Sequence, residues 1–364
     1  MKISSLFKVL LPCLVALALS VPASAAITLY DNDGTTFKTD GFFNTFYAHT
    51  ERENPDHTQS RVKMGFLPNY IGFNFSKKVD NLTLGGRSSF WVTINDSDTN
   101  PTDTAIDVRQ FYATVDGDWG QVLIGKDFTL FNRSNIFLDE ILTGYGKPSV
   151  PDTDGVSFGN IGSGYTYPLP SAQITYRTPE FNGFKLAIGL IDPARTSGVN
   201  GEEKMPRIEG ELTFNRKFSD VNVTAWAGFL TQTSENPGGD VDSQGISFGA
   251  RAQYAGFSLT GSGFTGSGLN SSLGAFGTPT DGEDVDGFLV QGSYTYGKFR
   301  FAASYGKTEV DNATQDEDET TIGAIFYSVN DYLHLVAEYN VETVTSGGTS
   351  NDIDTLALGA SVSF

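Results

Sequence analysis

The sequence predicts an all-β chain that crosses a membrane as an antiparallel transmembrane β-barrel of about 16 strands. Three observations lead to this fold class. The chain begins with an export signal, apolar and polar residues then alternate with a period of two, and the connections between alternating segments are short and long in turn. No stretch after the signal reaches the roughly 20 apolar residues of a membrane helix. Strands are therefore the elements with which this chain would span a bilayer.

Residues 1–25 are predicted to be a cleaved signal peptide. Two lysines accompany the apolar residues 9–19, and residues 23–25 read Ala-Ser-Ala, which is typical of a cleavage site. The apolar run is too short to span a bilayer. The single cysteine, Cys13, lies inside this segment, so a mature chain of residues 26–364 would contain no disulfide, cysteine ligand or thiol nucleophile.

The period-two alternation is clearest in the last segment of the chain. Its apolar face consists of Leu356, Leu358, Ala360, Val362 and Phe364. The same alternation recurs at residues 184–190, 221–229 and 333–341. A soluble β-sandwich also alternates, but here the other face carries Arg, Asn, Ser, Thr and Gly, which a sandwich core would not accommodate. Aromatic residues also gather at segment ends, as they do at the interfaces of membrane barrels.

The composition argues against several other classes of protein. The chain has 43 acidic and 24 basic residues and a net charge of −19, so nucleic acid is not an expected partner. Residues 155–159 and 245–249 fit Gly-x-Ser-x-Gly, but no predicted helix follows either of them. Residues 120–126 fit Gly-x4-Gly-Lys, yet Asp127 stands where Ser or Thr would bind magnesium. We therefore expect no enzymatic activity, no cofactor and no metal.

One connection, residues 128–168 after the fifth predicted strand, departs from the alternation of short and long connections. It is about 40 residues long without a clear strand, and loops of this length are usually functional or disordered. Its many apolar residues need a surface to pack against. It also carries four acids, Asp139, Glu140, Asp152 and Asp154. Docking over the barrel mouth or against another subunit is the alternative to packing inside the barrel.

Several stretches resemble the general porins of Gram-negative bacteria. Residues 109–112 (Arg-Gln-Phe-Tyr), 117–120 (Gly-Asp-Trp-Gly) and 124–126 (Ile-Gly-Lys) follow the order of the family's strand that leads into its inward-folded loop. Residues 174–184 are similar to a turn of those porins with the pattern Pro-x-Phe-x-Gly-Phe. The terminal Phe364 resembles the aromatic residue that the barrel-assembly machinery reads.

The resemblance implies an outer-membrane homotrimer in which each barrel is a water-filled channel for passive diffusion of ions and small hydrophilic solutes. It also implies that residues 128–168 fold inward and constrict the channel, and that the barrel contacts outer-membrane lipid and lipopolysaccharide. The family's Pro-Glu-Phe-Gly-Gly-Asp loop motif is absent, which leaves the acidic partner of the channel wall undetermined. Two other functions stay open, a substrate-selective channel for sugars or oligosaccharides and a non-conducting surface adhesin or receptor.

Strand parity assigns six cations to the channel wall, and Lys126 is added because it follows Gly125 at the start of the loop. A charged side chain on the lipid face would cost about 2–4 kcal/mol at the bilayer midplane, so cations within strands are expected to point inward. This assignment takes Met64, Phe66 and Tyr112 to face outward. The predicted basic wall consists of Arg61, Lys63, Arg87, Arg109, Lys126, Arg251 and Arg300. Facing the acids of the loop, these residues would set a transverse field that contributes to selectivity.

Further acids are concentrated in predicted outer loops. They occur at residues 283–286 and 316–319. Negative charge at a channel mouth steers cations towards it, most strongly at low salt. We therefore expect a mild preference for cations.

Overall fold

The computed structural model describes residues 26–54, 56–94, 106–148, 157–194, 204–235, 239–269 and 283–364. The predicted signal peptide, Asp152 and Asp154 lie outside the described residues. The strands are β1 Ile27–Asn32, β2 Thr35–Arg52, β3 His57–Lys63, β4 Asn69–Val79, β5 Leu82–Val92, β6 Ile106–Gly117, β7 Gly120–Asp127, β8 Lys147–Pro148, β9 Ser157–Gly159, β10 Ser171–Arg177, β11 Phe184–Ile191, β12 Arg207–Phe218, β13 Val221–Ser234, β14 Val241–Tyr254, β15 Phe257–Ser267, β16 Asp284–Tyr296, β17 Phe299–Asp311, β18 Asp316–Ser328, β19 Leu333–Ser346 and β20 Thr349–Ser363.

In the part of the chain that the structure describes, one short helix accompanies these strands. It is α1, Arg133–Phe137, and it lies between β7 and β8. Within the described ranges, no helix has the length and apolar content needed to cross a membrane.

The sheet closes through β2, which pairs with the strands at both ends of the chain. On one side, residues 35–42 pair with β4 and residues 46–52 with β3, so β3 and β4 form one interrupted column. On the other side, β2 pairs with β1 and, through residues 42–52, with β20. All remaining neighbours are antiparallel, with β7 joined to β10. The predicted closed antiparallel barrel of 16 strands is confirmed.

The two faces of the barrel differ as the alternation predicts. Along β14, Ile246 and Phe248 are each 58% exposed, whereas Ser247 between them is 1% exposed. Leu356 and Leu358 of β20 are also exposed, and Ala357 is fully buried. The outer face is therefore apolar, as a surface in contact with lipid must be. Because the barrel is closed, the backbone N–H and C=O groups of each strand pair with those of its neighbours, as a lipid bilayer requires.

Two outer loops, predicted from the sequence at residues 311–318 and 345–352, are shorter than expected. The connection between β17 and β18 is residues 312–315, and that between β19 and β20 is residues 347–348. Residues 316–319, expected in a loop, belong to β18, and Asp284 and Asp286 belong to β16. The cost of a charged residue on a barrel falls to almost nothing near the membrane interface, so these strands can continue into water with acidic side chains.

The C-terminal residue closes the seam between β2 and β20. Phe364 exchanges two backbone hydrogen bonds with Gly41, of 2.9 and 3.0 Å, and its ring stacks on Phe43 at a centroid distance of 6.0 Å. A Cβ atom on Gly41 would lie 2.6 Å from Cζ of Phe364. Gly41 therefore leaves the space that the terminal ring occupies.

We expect Gly41→Val to destabilise the barrel by about 1–3 kcal/mol, because overpacking costs this much when neighbours cannot move. Urea unfolding in detergent micelles, followed by tryptophan fluorescence, measures the change. Gly323→Val is the matched control, since a Cβ atom at Gly323 would meet nothing within 4 Å. Equal stability of the two variants would contradict the packing role of Gly41.

Candidate functional site

A long segment between β7 and β10 packs against inward-facing residues of the wall. We call its described parts, residues 128–148 and 157–170, the internal segment. Trp91 on β5 and Leu289 on β16 belong to one buried cluster with Ile161 and Tyr165 of the internal segment. Because β5 and β16 lie far apart around the barrel, the internal segment extends across the interior.

Two further apolar clusters fix the internal segment to other parts of the wall. Ile141 and Tyr145 pack among inward-facing residues of β2, β17, β18, β19 and β20, including Phe46 and Phe326. Phe131 packs with residues of β13, β15, β16 and β17. The sequence suggested a uniformly polar interior. The structure instead contains three apolar clusters in which the internal segment packs against the wall.

Carboxylates of β12 hold the start of the internal segment. Glu209 accepts hydrogen bonds from the backbone N–H groups of Leu130 and Phe131, at 2.6 and 2.8 Å. Glu211 accepts from the backbone N–H and the hydroxyl of Ser134, at 3.0 and 2.7 Å. Each buried carboxylate thus satisfies polar groups of the internal segment that water cannot reach.

Residues of β19 hold the middle of the internal segment in the same way. Glu338 accepts hydrogen bonds from the backbone N–H groups of Tyr145, at 2.9 Å, and Gly146. The amide of Asn340 donates to the carbonyl of Gly146 at 2.6 Å. At this point β19 therefore binds two backbone N–H groups and one backbone carbonyl group of the internal segment.

A lysine of the internal segment binds two wall carboxylates. Nζ of Lys147 contacts Asp318 and lies 3.5 Å from Glu342. Burial alone would lower the pKa of Lys147, but the two carboxylates raise it above its ordinary value. Lys147 therefore stays charged at neutral pH and joins the internal segment to β18 and β19.

Sequence reasoning missed the wall acids that hold the internal segment. They are Glu209, Glu211, Asp318, Glu338 and Glu342. A signal was present, because Glu209 and Glu211 occupy alternate, inward-facing positions of β12, as Glu338 and Glu342 do on β19. Asp318 lies on β18, within the acidic run that was expected in an outer loop.

Glu140 of the predicted acidic pair contacts the basic wall directly. Its carboxylate lies 2.7 Å from Arg251 and 3.5 Å from Arg300, and Arg300 also donates to its backbone carbonyl at 2.7 Å. Ser258 and Ser293 donate to the same carboxylate at 2.6 and 2.9 Å. The transverse field expected from separated charges therefore does not arise from this group, since the opposite charges meet.

Asp139, the other member of the pair, is buried away from these cations. Its carboxylate accepts hydrogen bonds from Gln291 and Tyr165, both at 2.7 Å, and from Asn160. Burial raises the pKa of Asp139 above its ordinary value, although these hydrogen bonds act in the opposite direction. Asp139 is thus a structural link between the internal segment and β16.

Arg87 and Arg109 both lie on the inner face of the barrel, but in different surroundings. Arg87 forms a 2.8 Å ion pair with Asp40. Arg109 is 2.8 Å from Asp107, donates to the hydroxyl of Tyr167 at 3.0 Å, and lies 5.1 Å from the ring of Trp91. Arg109 therefore connects the wall to the internal segment.

The reason for the inward position of Arg109 differs from the predicted one. Tyr112 lies opposite Arg87 in register and so shares its inner face, and the outward assignment of Tyr112 is wrong. A bulge between Ser89 and Trp91 shifts the register before Arg109. Such a bulge redirects the side chains beside it.

The cations at the ends of β3 and β7 lie on opposite faces. Arg61 lies opposite buried Ala48, and Lys63, itself buried, lies opposite Phe46. Lys126 lies opposite Phe111, which is 61% exposed. The register therefore places Lys126 on the outer face, contrary to the prediction.

The outward assignment of Met64 and Phe66 is also wrong. They are 1% and 5% exposed. β3 ends at Lys63, so the alternation no longer governs the two residues that follow. Phe66 instead packs into the cluster around the internal segment.

A family model for Gram-negative porins matches residues 13–347. The chain belongs to the Gram-negative porin family. Among curated proteins, it is similar to a monosaccharide porin of a Halomonas species and to the major outer membrane protein of Halomonas elongata. Each is 27% identical over 200 residues, which are 50% of this chain and 48% of the relative. The chain thus spans about half the length of these relatives.

Solved structures share the fold of this porin. The outer membrane channel DcaP of Acinetobacter baumannii is 17% identical with a TM-score of 0.72, and the similarity covers 93% of this chain and all of that one (100%). An anion-selective porin from Comamonas acidovorans is 14% identical with a TM-score of 0.70, covering 91% and 100%. Family and relatives place this porin in the outer membrane.

A channel selective for sugars would need aromatic residues along its lumen, and the four candidates in this porin are not available to a solute. Trp91, Trp226 and Tyr165 are at most 4% exposed, and Phe111 is exposed on the outer face. Trp226 donates its indole N–H to Asn135 of the internal segment at 2.8 Å. These four residues therefore pack the internal segment or meet lipid.

Proposed function

We propose that this porin forms a water-filled channel for passive diffusion of ions and small hydrophilic solutes. The observation that carries the proposal is the closed barrel, whose inner face bears charged and hydroxyl side chains while its outer face is apolar. A cavity of about 530 Å³ lies at the end with the short turns and includes Arg251, Arg300 and Ser293 in its lining. Such a lining supports solvation of polar solutes.

We further propose that the internal segment constricts this channel. It reaches the wall through three apolar clusters and several buried ion pairs, so it is held at a defined distance from the remaining wall. Arg61, Lys63, Arg87 and Arg109 are the wall cations from β3, β5 and β6 that this proposal assigns to the channel. Pore width and lining charge together would set the selectivity.

The proposal includes a homotrimer, with Phe364 as the signal for insertion by the barrel-assembly machinery. OmpT of Vibrio cholerae, one structure of which is described as a trimer form, has the same fold with a TM-score of 0.60 and 17% identity. The outer ends of the strands would contact outer-membrane lipid and lipopolysaccharide. Removal of residues 1–25 during export belongs to the same proposal.

Planar-bilayer recording of the purified, unheated protein tests the channel. We expect an ohmic conductance that is lost in three equal steps, one for each channel of a trimer. The reversal potential in a salt gradient then shows whether cations or anions permeate better. A preference for cations would support steering of cations by the acidic strand ends.

Two outcomes would contradict the proposal. Insertion without conductance would indicate a barrel that serves as an adhesin or receptor. Current blocked by one sugar and not by its stereoisomers would indicate a substrate-selective channel.

A further inference from the structure

The cavity at the short-turn end contains a guanidinium group with unused hydrogen-bond donors. Arg300 donates through Nη1 to the carbonyl and carboxylate oxygens of Glu140. Among the described residues, its Nε and Nη2 atoms have no hydrogen-bond acceptor. The Arg300 side chain is 27% exposed and borders the cavity of about 530 Å³. One edge of a guanidinium fork therefore faces a space large enough for a small organic molecule.

The position of this guanidinium is fixed by an aromatic ring. Cζ of Arg300 lies 3.9 Å from the ring centroid of Phe326, its cross-strand neighbour. Stacking and the contacts with Glu140 hold the plane of the fork, so little conformational freedom remains to be lost when a ligand binds.

A histidine borders the same cavity. Nδ1 of His334 is 3.1 Å from the hydroxyl of Ser328, and Nε2 of His334 is buried with no hydrogen-bond partner among the described residues. Ser361 lies directly opposite His334 in register and also lines the cavity. Because Nε2 is buried, a solute in the cavity does not reach it, and His334 contributes to the wall of the cavity.

The charged side chains that border the cavity balance in formal charge. Arg251, Arg300 and Lys298 are cations, and Asp139, Glu140 and Asp220 are acids. Arg251 and Arg300 share the carboxylate of Glu140, whereas the carboxylate of Asp139 accepts from neutral donors of the internal segment and β16. The case for a ligand therefore rests on the free donors of the Arg300 guanidinium and not on an excess of positive charge.

We propose that Arg300 and His334 form a binding subsite for small carboxylate solutes at the short-turn end of the channel. The two oxygens of a carboxylate match the free Nε and Nη2 donors of the fork. His334 and Ser361 line the same cavity and form its wall beside the fork. This subsite rests on the proposed channel function.

Block of single-channel current by benzoate tests the subsite, with benzamide as the uncharged probe of the same shape. We expect benzoate to interrupt the current and benzamide to leave it unchanged. Arg300→Gln is expected to weaken the block roughly tenfold or more, and Arg300→Lys nearly as much, because an ammonium group lacks the planar fork.

Lys298→Gln is the matched control for loss of one positive charge. Lys298 borders the same cavity, but its Nζ donates to the carbonyl of Val329 at 2.9 Å. We expect its benzoate block to equal that of the unaltered protein. Equal weakening in Lys298→Gln and Arg300→Gln would overturn the subsite and leave only a general effect of charge.

The remaining outcomes separate the subsite from the channel itself. Conductance without benzoate block would overturn the subsite and leave the proposed function standing. Absence of conductance would overturn the proposed function. Equal block by inorganic phosphate and benzoate would overturn the assignment to carboxylates.

Discussion

Replacing Glu140 with glutamine is expected to shift the reversal potential strongly towards anion selectivity and to destabilise the barrel interior. The side chains of Glu140 and Arg251 are 7% and 9% exposed, so the substitution leaves a buried guanidinium without its counter-charge. Removal of one partner from a buried pair typically costs about 3–5 kcal/mol. The reversal potential in a salt gradient and thermal unfolding measured by circular dichroism would show the two effects.

The matched control for this substitution is Glu309→Gln. Glu309 is also paired with a cation, Lys307 at 2.7 Å, but its side chain is 61% exposed. Exposed pairs contribute at most about 1 kcal/mol, so its thermal unfolding should barely change. Unchanged ion selectivity in Glu140→Gln would show that Arg251 and Arg300 do not influence passing ions.

Replacing Glu338 with alanine is expected to raise the single-channel conductance and its noise. Glu338 is 2% exposed and accepts two backbone hydrogen bonds, from Tyr145 and Gly146. Each buried N–H left without a partner costs about 1–3 kcal/mol, which weakens attachment of the internal segment to β19. A detached stretch would move within the lumen and leave a wider path.

Asp286→Ala provides the comparison for Glu338→Ala. Asp286 is exposed on β16 near the strand end, so this change removes a charge without releasing the internal segment. Its conductance is expected to change little at high salt, where screening is strong. A conductance of Glu338→Ala equal to that of the unaltered protein would contradict a constricting role for this part of the segment.

The strand pattern was predictable from the sequence because it is local. Residues 356–364 alternate in the structure as they do in the sequence, and the same parity places Arg251 and Arg300 inside. Parity failed for Met64, where a strand ends. Lys126 obeys parity, since it lies outward with Ile124, and its inward assignment came from its position at the start of the loop. Period-two reasoning holds only within an uninterrupted ladder.

The attachment of the internal segment was not predictable in the same way. Glu140 and Arg251 are 111 residues apart, and Tyr145 and Glu338 are 193 apart. No periodicity relates residues at such separations, and their contact depends on closure of the whole barrel. The apolar content of residues 128–168 predicted that they need a partner, but did not predict which strands supply it.

The partners of the internal segment also set the order in which the interior can form. Leu130 and Phe131 bond to Glu209, whereas Tyr145 waits for Glu338, which arrives on the penultimate strand. Contacts between distant parts of a chain form late, because loop closure must precede them. A barrel caught before β19 joins the sheet would therefore hold its internal segment at Glu209 but not yet at Glu338.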